Sequence, residues 1–379
     1  MADITSSYMG LKLKSPIIVS SCGLTADSDK VAEMEKCGVG AVVVKSLFEE
    51  QIANEVDFLA SASHDYPEMG DYLHNYIRQN SIAKYVANIS EIKAKTSIPI
   101  IASINCYSSG EWISYAKEIE RAGADGLELN LYDIPLSGKE DAEKVEKSYC
   151  KTVKKVVDSV NIPVAVKISS HFTSIVNFVK SLYSCGVKAV VIFNRFFTPD
   201  IDLDKLTLTS SSPLSHPEDY LTVLRWTALL SSTIQNMSIS VTTGIHSPES
   251  AIKQILAGAD TVQICSVVYK EGLKVISDFN EALKKFMDDK NFENLSQMCG
   301  RLNYSNIPDA AMYERVQFLK TFWRICSEVI EFIQNNKDLS FKNLSELRSL
   351  FFQSCRGKRT RTFDPLLPKQ VSLVFRCFS

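Results

Sequence analysis

Lysine and asparagine residues stand at the ends of several short apolar segments in this chain. Lys45 follows Ala-Val-Val-Val, Lys167 follows Pro-Val-Ala-Val, and Asn130 ends Gly-Leu-Glu-Leu-Asn. An ammonium group at a crowded interior edge is costly unless it has a partner. Carboxamides offer both donors and acceptors, which suits the edge of a planar heterocycle. These residue types therefore predict a site for an electron-rich, planar ligand.

Two short phrases alternate along the chain and supply the strands that must position these residues. The first is an apolar strand led by proline or a polar residue, as in residues 15–21 (SPIIVSS) and 98–105 (IPIIASIN). The second is a helix stop followed by a strand, as in residues 36–45 (KCGVGAVVVK). Its glycines stand where the residue after a helix needs a positive φ; they are Gly38, Gly123, Gly186 and Gly258.

The alternation predicts eight short, continuously apolar strands separated by segments with helical periodicity. Strands of this kind are typical of a parallel sheet covered on both faces. The predicted fold class is therefore α/β, a (β/α)8 TIM barrel with a C-terminal helical extension. An open, doubly wound sheet is the competing architecture.

Three regions follow from this reading. Residues 1–290 form the predicted barrel, and residues 291–354 form a helical extension packed on it, which includes an amphipathic helix over residues 312–333. Residues 355–379 carry six Lys or Arg against one Asp. This basic tail resembles a peptide translated from a transfer-RNA gene, so we interpret it as disordered or non-native.

Composition and charge argue against several function classes. The net charge of −2 provides no general attraction to nucleic acid or to an anionic membrane. No apolar run has the length of a membrane span, and the N-terminus lacks the features of a secretory signal. The ten cysteines are scattered without zinc-like spacing, so we expect reduced thiols, no metal site and a cytoplasmic protein.

A barrel brings the C-terminal ends of its strands to one mouth, where its chemistry takes place. The polar and small residues expected there are Ser20, Ser21, Cys22, Gly23, Lys45, Ser46, Asn105, Asn130, Lys167, Asn194, Arg195, Thr242, Thr243, Gly244, Cys265 and Ser266. The loops after strands seven and eight of such barrels form a phosphate pocket from backbone N–H groups and a helix N-terminus. A phosphate joined to a planar, electron-accepting ring describes FMN.

Lys167 is the candidate for stabilising negative charge on the flavin pyrimidine, and Lys45 is expected to support the ring or the substrate. No carboxylate ends a neighbouring strand, so both lysines are expected to lie buried against the ligand. A Schiff-base lysine, as in barrel aldolases, is the competing mechanism.

At these residues the chain resembles class 1 dihydroorotate dehydrogenase-like proteins, which are FMN-dependent barrels, and the flavin domain of dihydropyrimidine dehydrogenase. The matching stretches include LKLKSPIIVSSCGLT, VVVKSLFEEQI, AGADGLELN, VVIFNRFFTPDID and LAGADTVQICSVVYKEG. The resemblance implies flavin contacts from Ser21, Gly23, Lys45, Asn130, Lys167 and Asn194, and phosphate contacts around Gly244, Cys265 and Ser266. Ser46 and Asn105 complete the expected cofactor-binding set.

The chain departs from that family mainly in residues that handle the substrate and its proton. In the family, an Asn-Leu-Ser-Cys-Pro-Asn segment follows strand four, and its cysteine accepts a proton while the flavin accepts hydride. Here the segment reads Asn-Leu-Tyr-Asp-Ile-Pro, so Asp133 replaces the cysteine and Pro135 replaces the substrate asparagine. Asp133 is the candidate base if burial raises its pKa; a solvated loop aspartate is the alternative.

The resemblance implies an FMN-dependent oxidoreductase that oxidises dihydroorotate to orotate in pyrimidine biosynthesis. A flavin-dependent reductase of another small cyclic or enone substrate is one alternative. A catalytically silent flavin-binding protein is another. The expected partners are a small-molecule substrate and an electron acceptor, which could be fumarate, a quinone or a separate subunit, together with a second copy of the chain in a homodimer.

Overall fold

Eight parallel strands pair side by side in the computed structural model and close into a barrel. The structure describes residues 2–48, 68–105, 111–131, 141–195 and 199–314. The strands are β1 (Ser6–Tyr8), β2 (Leu11–Leu13), β3 (Ile17–Val19), β4 (Ala41–Val43), β5 (Leu47–Phe48), β6 (Ile100–Asn105), β7 (Gly126–Asn130), β8 (Val164–Ile168), β9 (Ala189–Ile192), β10 (Pro199–Asp202), β11 (Thr207–Ser210), β12 (Ser238–Val241) and β13 (Thr261–Ile264).

The barrel runs in the order β4-β3-β13-β12-β9-β8-β7-β6, and a pairing of β6 with β4 closes it. In that closing pair Val42 aligns with Ile100 and Val43 with Ile101. The eight strands predicted from the alternating phrases are all present, and the closed barrel is confirmed over the open sheet. The four glycines at the helix stops have φ between 85° and 113°, as predicted.

Helices lie between the barrel strands. They are α1 (Ser28–Lys36), α2 (Glu68–Lys95), α3 (Glu111–Arg121), α4 (Ala142–Val157), α5 (Ile175–Ser184), α6 (Tyr220–Thr233), α7 (Pro248–Ala257), α8 (Ser266–Glu271), α9 (Val275–Asp289), α10 (Leu295–Met298) and α11 (Ala311–Glu314), with short 3-10 helices at Gly23–Ala26 and Pro217–Asp219. Among the described helices, none combines the length and the apolar character required to cross a bilayer.

Two apolar clusters stabilise the fold. The larger outer cluster lies between the sheet and the helices. The inner cluster fills the lower half of the barrel, where Tyr8, Met9 and Leu13 from the β1–β2 hairpin pack against inward-facing residues such as Ile18 and Ala165. The barrel is therefore a packed core at the end where the strands begin, and only its other end is available for a site.

Three features escaped the sequence analysis: the β1–β2 hairpin, the short strand β5 and the antiparallel β10–β11 hairpin. The barrel unit continues beyond α9, where Gly300 N–H donates to Ile255 O at 3.0 Å and Tyr304 N–H donates to Ala228 O at 3.2 Å. A domain boundary at residue 290 remains a prediction. Most of the predicted helix over residues 312–333, and all of residues 355–379, lie outside the described residues.

Candidate active site

Side chains alternate between the two faces of each barrel strand, and this alternation turns several polar groups inward. In β7, Leu127 and Leu129 pack in the outer cluster, so Glu128 and Asn130 face the barrel interior. In β8 the apolar neighbours of Lys167 also pack outward, which turns Lys167 inward. The upper half of the barrel interior is therefore polar, directly above the apolar inner cluster.

A chain of hydrogen-bonded side chains links β3, β4, β6 and β7 at the C-terminal mouth. Ser21 Oγ lies 3.0 Å from Ser46 Oγ, which lies 2.7 Å from Ser103 Oγ. Asn130 Nδ2 donates to both Ser46 Oγ, at 3.1 Å, and Ser103 Oγ, at 3.0 Å. The structure thus brings together Ser21, Ser46 and Asn130, three of the residues predicted to bind the cofactor.

Tyr85 anchors this network from α2. Its hydroxyl group donates to Ser103 O at 3.0 Å and accepts from Ser103 N–H at 2.9 Å. Burial raises the pKa of Tyr85 above its ordinary value. The neutral phenol therefore holds the middle of β6 in place beneath the serine network.

Lys167 lies beside Asn130 in the strand register and belongs to a second polar group. Its Nζ is 3.5 Å from Ser20 Oγ and 3.8 Å from Glu128 Oε1. Ser20 Oγ donates to Gln263 Oε1 at 3.0 Å, and Gln263 Nε2 donates to Glu128 Oε2 at 3.1 Å. Four strands, β3, β7, β8 and β13, thereby contribute to one buried ring of polar groups.

No carboxylate ends a strand next to β8, as expected, but one lies beside Lys167 a layer below the strand ends. Glu128 is fully buried and is the nearest anionic group to the Lys167 ammonium among the residues the structure describes. It escaped the sequence analysis because it lies two residues before the end of β7, one layer below the mouth. Two-residue periodicity, followed back from Asn130, is the signal that would have revealed it.

The prediction that Lys45 is buried is wrong, because its side chain is exposed. Val44 still packs in the outer cluster, but Lys45 lies two residues past the end of β4, in the link to β5. The packed layers of the barrel end with β4, so Lys45 lies above them. The next residue, Ser46, is buried and belongs to the serine network.

The other predicted residues occupy the same end of the barrel. Asn194 is half-buried, and its N–H donates to Ile168 O at the end of β8, at 2.7 Å. Asn105 is half-buried at the end of β6. Gly23 begins the 3-10 helix after β3, and a Cβ atom there would lie 2.9 Å from the Tyr269 hydroxyl oxygen. Arg195 donates to the carbonyl groups of residues 212 and 213.

A second cluster lies after β12 and β13, where a phosphate pocket was predicted. Ser266 Oγ accepts from Ser215 N–H and from Ser215 Oγ, both at 3.0 Å, and Ser215 Oγ lies 2.9 Å from His246 Nε2. Burial lowers the pKa of His246, with a contribution from the positive charge of Lys270. Sequence reasoning assigned no role to Ser215 or His246, because neither ends one of the eight predicted barrel strands.

The backbone at this end of β12 is unusual. Thr243 and Gly244 both have φ of 78°, a region that β-branched residues rarely adopt. Thr243 Oγ1 donates to Phe193 O at 3.0 Å, which holds the turn against the end of β9. A Cβ atom at Gly244 would lie 2.2 Å from Tyr220 N, so glycine is required by packing as well as by conformation.

One predicted position lies outside the described residues. Asp133, the candidate base, belongs to residues 132–140, which the structure does not describe. Among the described residues, the clefts lie at the end of the barrel where the strands begin. Their lining includes Ser6, Lys12 and Asp260. Barrel enzymes place their chemistry at the opposite end, so we assign the site to the polar mouth.

Comparisons with known proteins agree with this assignment. The family model described as "Dihydroorotate dehydrogenase" matches residues 3–287. The chain is 28% identical over 316 residues to the dihydroorotate dehydrogenase B (NAD(+)), catalytic subunit, of Thermoplasma volcanium, covering 79% of this chain and 98% of that protein. The corresponding protein of Thermoplasma acidophilum is 24% identical over 310 residues, covering 79% of this chain and 99% of that protein.

A relative with another name matches a similar share of the chain. The NAD-dependent dihydropyrimidine dehydrogenase subunit PreA of Escherichia coli K12 is 24% identical over 328 residues, covering 81% of this chain and 78% of that protein. The closed barrel, its polar mouth and the match over residues 3–287 lead to one conclusion: the chain is an oxidoreductase that belongs to the dihydroorotate dehydrogenase family of flavoproteins.

Proposed function

We propose that this protein binds FMN at the polar mouth and oxidises dihydroorotate to orotate in pyrimidine biosynthesis. The observation that carries the proposal is the Lys167 ammonium group, which is buried in the barrel interior beside Asn130. A cation held in a partly dry, polar pocket acts strongly on charge that develops next to it.

The donors at the mouth suit a flavin ring. An ammonium group carries three donors, but the described polar contacts of Lys167 Nζ, at 3.5 and 3.8 Å, are both long. It therefore has donor capacity for acceptor atoms of a ligand above it. Asn130 uses its amide nitrogen on two serine hydroxyls, which leaves its carbonyl oxygen to accept from a ring N–H group.

The phosphate group of FMN would be bound by the hydroxyls of Ser215 and Ser266 and by the backbone at Thr243 and Gly244. Helix α7 begins at Pro248, with Ser247 as its N-cap residue. Its N-terminus adds a favourable dipole for an anion. The same loops were predicted to hold phosphate.

FMN, when bound, supplies the acceptor for the hydride that leaves the substrate ring. Removal of the hydride must be matched by removal of a proton from the adjacent carbon, and we propose Asp133 as its acceptor. Lys167 would stabilise the negative charge that develops on the cofactor, and Lys45, whose ammonium group is exposed near the mouth, would contact the ring or the substrate carboxylate.

Asp133 and Pro135 replace the family's proton acceptor and substrate asparagine, so the residues that would recognise the oxidised ring differ from those of the family. The similarity to a dihydropyrimidine dehydrogenase subunit favours one second candidate, a 5,6-dihydropyrimidine without a carboxylate. The family match over residues 3–287 favours flavin chemistry over the Schiff-base mechanism.

The names of the relatives also support a protein partner. Those from Thermoplasma are catalytic subunits of NAD(+)-linked enzymes, and PreA is a subunit as well. We propose that a separate electron-transfer subunit accepts electrons from this chain, in preference to fumarate or a quinone. A homodimer of the chain and a cytoplasmic location remain sequence predictions.

An anaerobic titration of the FMN-loaded protein tests the proposal. Dihydroorotate is expected to bleach the flavin absorbance in proportion to the amount added, and 5,6-dihydrouracil is expected to leave it unchanged. Bleaching by dihydrouracil alone would assign a different substrate to an enzyme of the same class. A protein that stays colourless after incubation with FMN would overturn the cofactor assignment.

A further inference from the structure

Three polar side chains from separate segments meet near the C-terminal ends of β12 and β13. Ser215 belongs to the loop between β11 and the 3-10 helix Pro217–Asp219, His246 lies between β12 and α7, and Ser266 is the first residue of α8. Ser215 is buried, whereas His246 and Ser266 are half-buried. The proposed phosphate contacts come from the two serine hydroxyls, and His246 is hydrogen-bonded to one of them.

The hydrogen bonds among these residues run in one direction. Ser215 Oγ donates to Ser266 Oγ at 3.0 Å, and Ser215 N–H donates to the same oxygen, also at 3.0 Å. Because a serine hydroxyl carries a single proton, Ser215 Oγ must accept at its other contact, which is with His246 Nε2 at 2.9 Å. The Nε2 atom of His246 therefore carries a hydrogen and donates it. We call His246, Ser215 and Ser266, in that order, the donor relay.

The outer end of the donor relay is the Ser266 hydroxyl group. Its oxygen accepts two hydrogen bonds from Ser215, and its own proton has no acceptor among the residues that the structure describes. A half-buried hydroxyl at the mouth thus keeps a donor for a ligand. A phosphate oxygen is a strong acceptor for it, because hydrogen bonds to ionised groups are roughly twice as strong as those between neutral groups.

His246 acts in the donor relay as a neutral ring. Burial lowers its pKa, and the positive charge of Lys270 acts in the same direction, against the opposing effects of Asp219 and Glu271. A neutral imidazole carries one N–H group, and the contact with Ser215 assigns it to Nε2. Hydrogen bonds in series polarise one another in a partly dry site, so the donor at His246 makes the Ser266 proton a better donor.

We propose that His246 is a positioning residue, which acts through Ser215 to orient the Ser266 hydroxyl group as a donor to the phosphate of bound FMN. The inference rests on the proposed function and concerns the choice of cofactor. Riboflavin has the same isoalloxazine ring and lacks the phosphate, so the donor relay favours FMN over riboflavin. A change in the relay is therefore expected to alter FMN affinity and to leave riboflavin affinity unchanged.

The experiment measures the dissociation constants of FMN and riboflavin for the full-length protein at pH 7.5, from the quenching of flavin fluorescence. The wild type is expected to bind FMN at least about tenfold more tightly than riboflavin, as a charge-assisted hydrogen bond implies. His246→Leu removes the N–H donor, so we expect FMN affinity to fall at least about fivefold while riboflavin affinity is retained. Equal losses for the two flavins, or no loss for FMN, would overturn the proposal.

Two further variants separate the donor from the shape of the ring. His246→Gln retains an N–H donor that can reach the position of Nε2, and it is expected to bind FMN nearly as tightly as the wild type. His216→Leu changes an exposed histidine next to Ser215 and is the matched control, with both affinities expected to be unchanged. A His246→Gln protein that loses as much FMN affinity as His246→Leu would contradict the role of His246 as a donor.

Ser215→Ala interrupts the donor relay between its two ends. Because His246 acts through Ser215, a double variant with His246→Leu and Ser215→Ala is expected to bind FMN as weakly as Ser215→Ala alone. A merely structural role for His246 would instead give losses that add. Additive losses would therefore refute the relay.

Nuclear magnetic resonance of the unliganded protein tests the donor relay without a flavin. In full-length protein labelled with 15N-histidine, the His246 signals are identified by their loss in His246→Gln, and they are expected to show a neutral ring protonated at Nε2. Protonation at Nδ1 would exclude the relay even if FMN binds. A wild type that binds neither flavin would overturn the proposed function together with this use of the relay, whereas failure of the relay alone leaves flavin binding intact.

Discussion

Lys167 Nζ lies 3.8 Å from Glu128 Oε1, a carboxylate oxygen that accepts no hydrogen bond from the residues the structure describes. The other oxygen of Glu128 accepts from Gln263, so the carboxylate is held in place while its contact with the ammonium group stays long. Breaking such a buried pair leaves an uncompensated charge. The negative charge of Glu128 therefore opposes part of the electrostatic effect of the Lys167 ammonium group at the mouth.

The first prediction concerns this charge. Glu128→Gln keeps the shape of the side chain and removes its negative charge, so Lys167 acts on a bound flavin without opposition. We expect the reduction potential of the flavin to rise by on the order of tens of millivolts, where 30 mV corresponds to about 1.4 kcal/mol for a two-electron couple. Equilibration with a reference dye measures it.

Gln263→Leu is the matched control, because it removes a hydrogen bond to Glu128 without a change in charge. The flavin reduction potential of this variant is expected to stay near that of the wild type. Equal shifts in the two variants would assign the effect to packing and not to charge.

The second prediction concerns Lys167 itself. Lys167→Met retains much of the apolar stem and removes the ammonium group, so the charge-assisted hydrogen bonds to a ligand are lost. Such bonds contribute about 1.5–3 kcal/mol, which corresponds to a rise in the FMN dissociation constant of at least about tenfold. Quenching of flavin fluorescence on binding measures the constant. Lys188→Met, at the opposite end of the barrel, is the control and is expected to bind FMN normally.

The third prediction concerns the serine network. Asn130→Ala removes donors from the buried hydroxyls of Ser46 and Ser103, and a buried polar group without its partner costs about 1–3 kcal/mol. We expect the free energy of unfolding in urea to fall by that amount. Asn177→Ala, on the exposed face of α5, is expected to change it by less than about 0.5 kcal/mol. A stable Asn130→Ala protein would show that the network has no structural role.

The fourth prediction concerns pH. Burial raises the pKa of Asp260 to about 6, from an ordinary value of 3.8. The folded protein therefore binds this proton more tightly than the unfolded chain, so the stabilising contribution is complete below pH 3.8 and is lost as the pH rises through about 6. Asp260→Asn cannot lose a proton and can still accept from Ile239 N–H, a contact of 2.7 Å.

We expect Asp260→Asn to gain about 1–3 kcal/mol in free energy of unfolding relative to the wild type between pH 4 and pH 7.5. Urea unfolding at a series of pH values measures this difference. Asp289→Asn, an exposed position, is the control, and its difference from the wild type is expected to be independent of pH. A constant difference for Asp260→Asn would contradict the assignment.

The fifth prediction concerns the proposed base. Asp133→Asn removes the proton acceptor and leaves the cofactor contacts in place, so turnover is expected to fall by about 100-fold, within the range for general-base catalysis, while FMN affinity is retained. Anaerobic stopped-flow reduction of the flavin by dihydroorotate measures the step. Unchanged reduction would exclude Asp133 as the base.

Local sequence patterns were sufficient to predict the framework of this protein. The eight barrel strands follow from short apolar runs, and the positive φ at Gly38 and Gly258 follows from the helix stops that precede them. Each of these features depends on a few consecutive residues, so the sequence itself carries the signal. The position of Asn130 and Lys167 at the strand ends follows for the same reason.

The contacts among the site residues were decided only by the tertiary structure. Lys45 and Lys167 look alike in the sequence, yet one is exposed and the other is buried, because β4 ends two residues before Lys45. Glu128 approaches Lys167, and Ser20 contacts Gln263, across neighbouring strands that are far apart in the sequence. Such contacts depend on the register in which the barrel closes, and strand register results from the packing of the whole sheet, which no single segment of the sequence encodes.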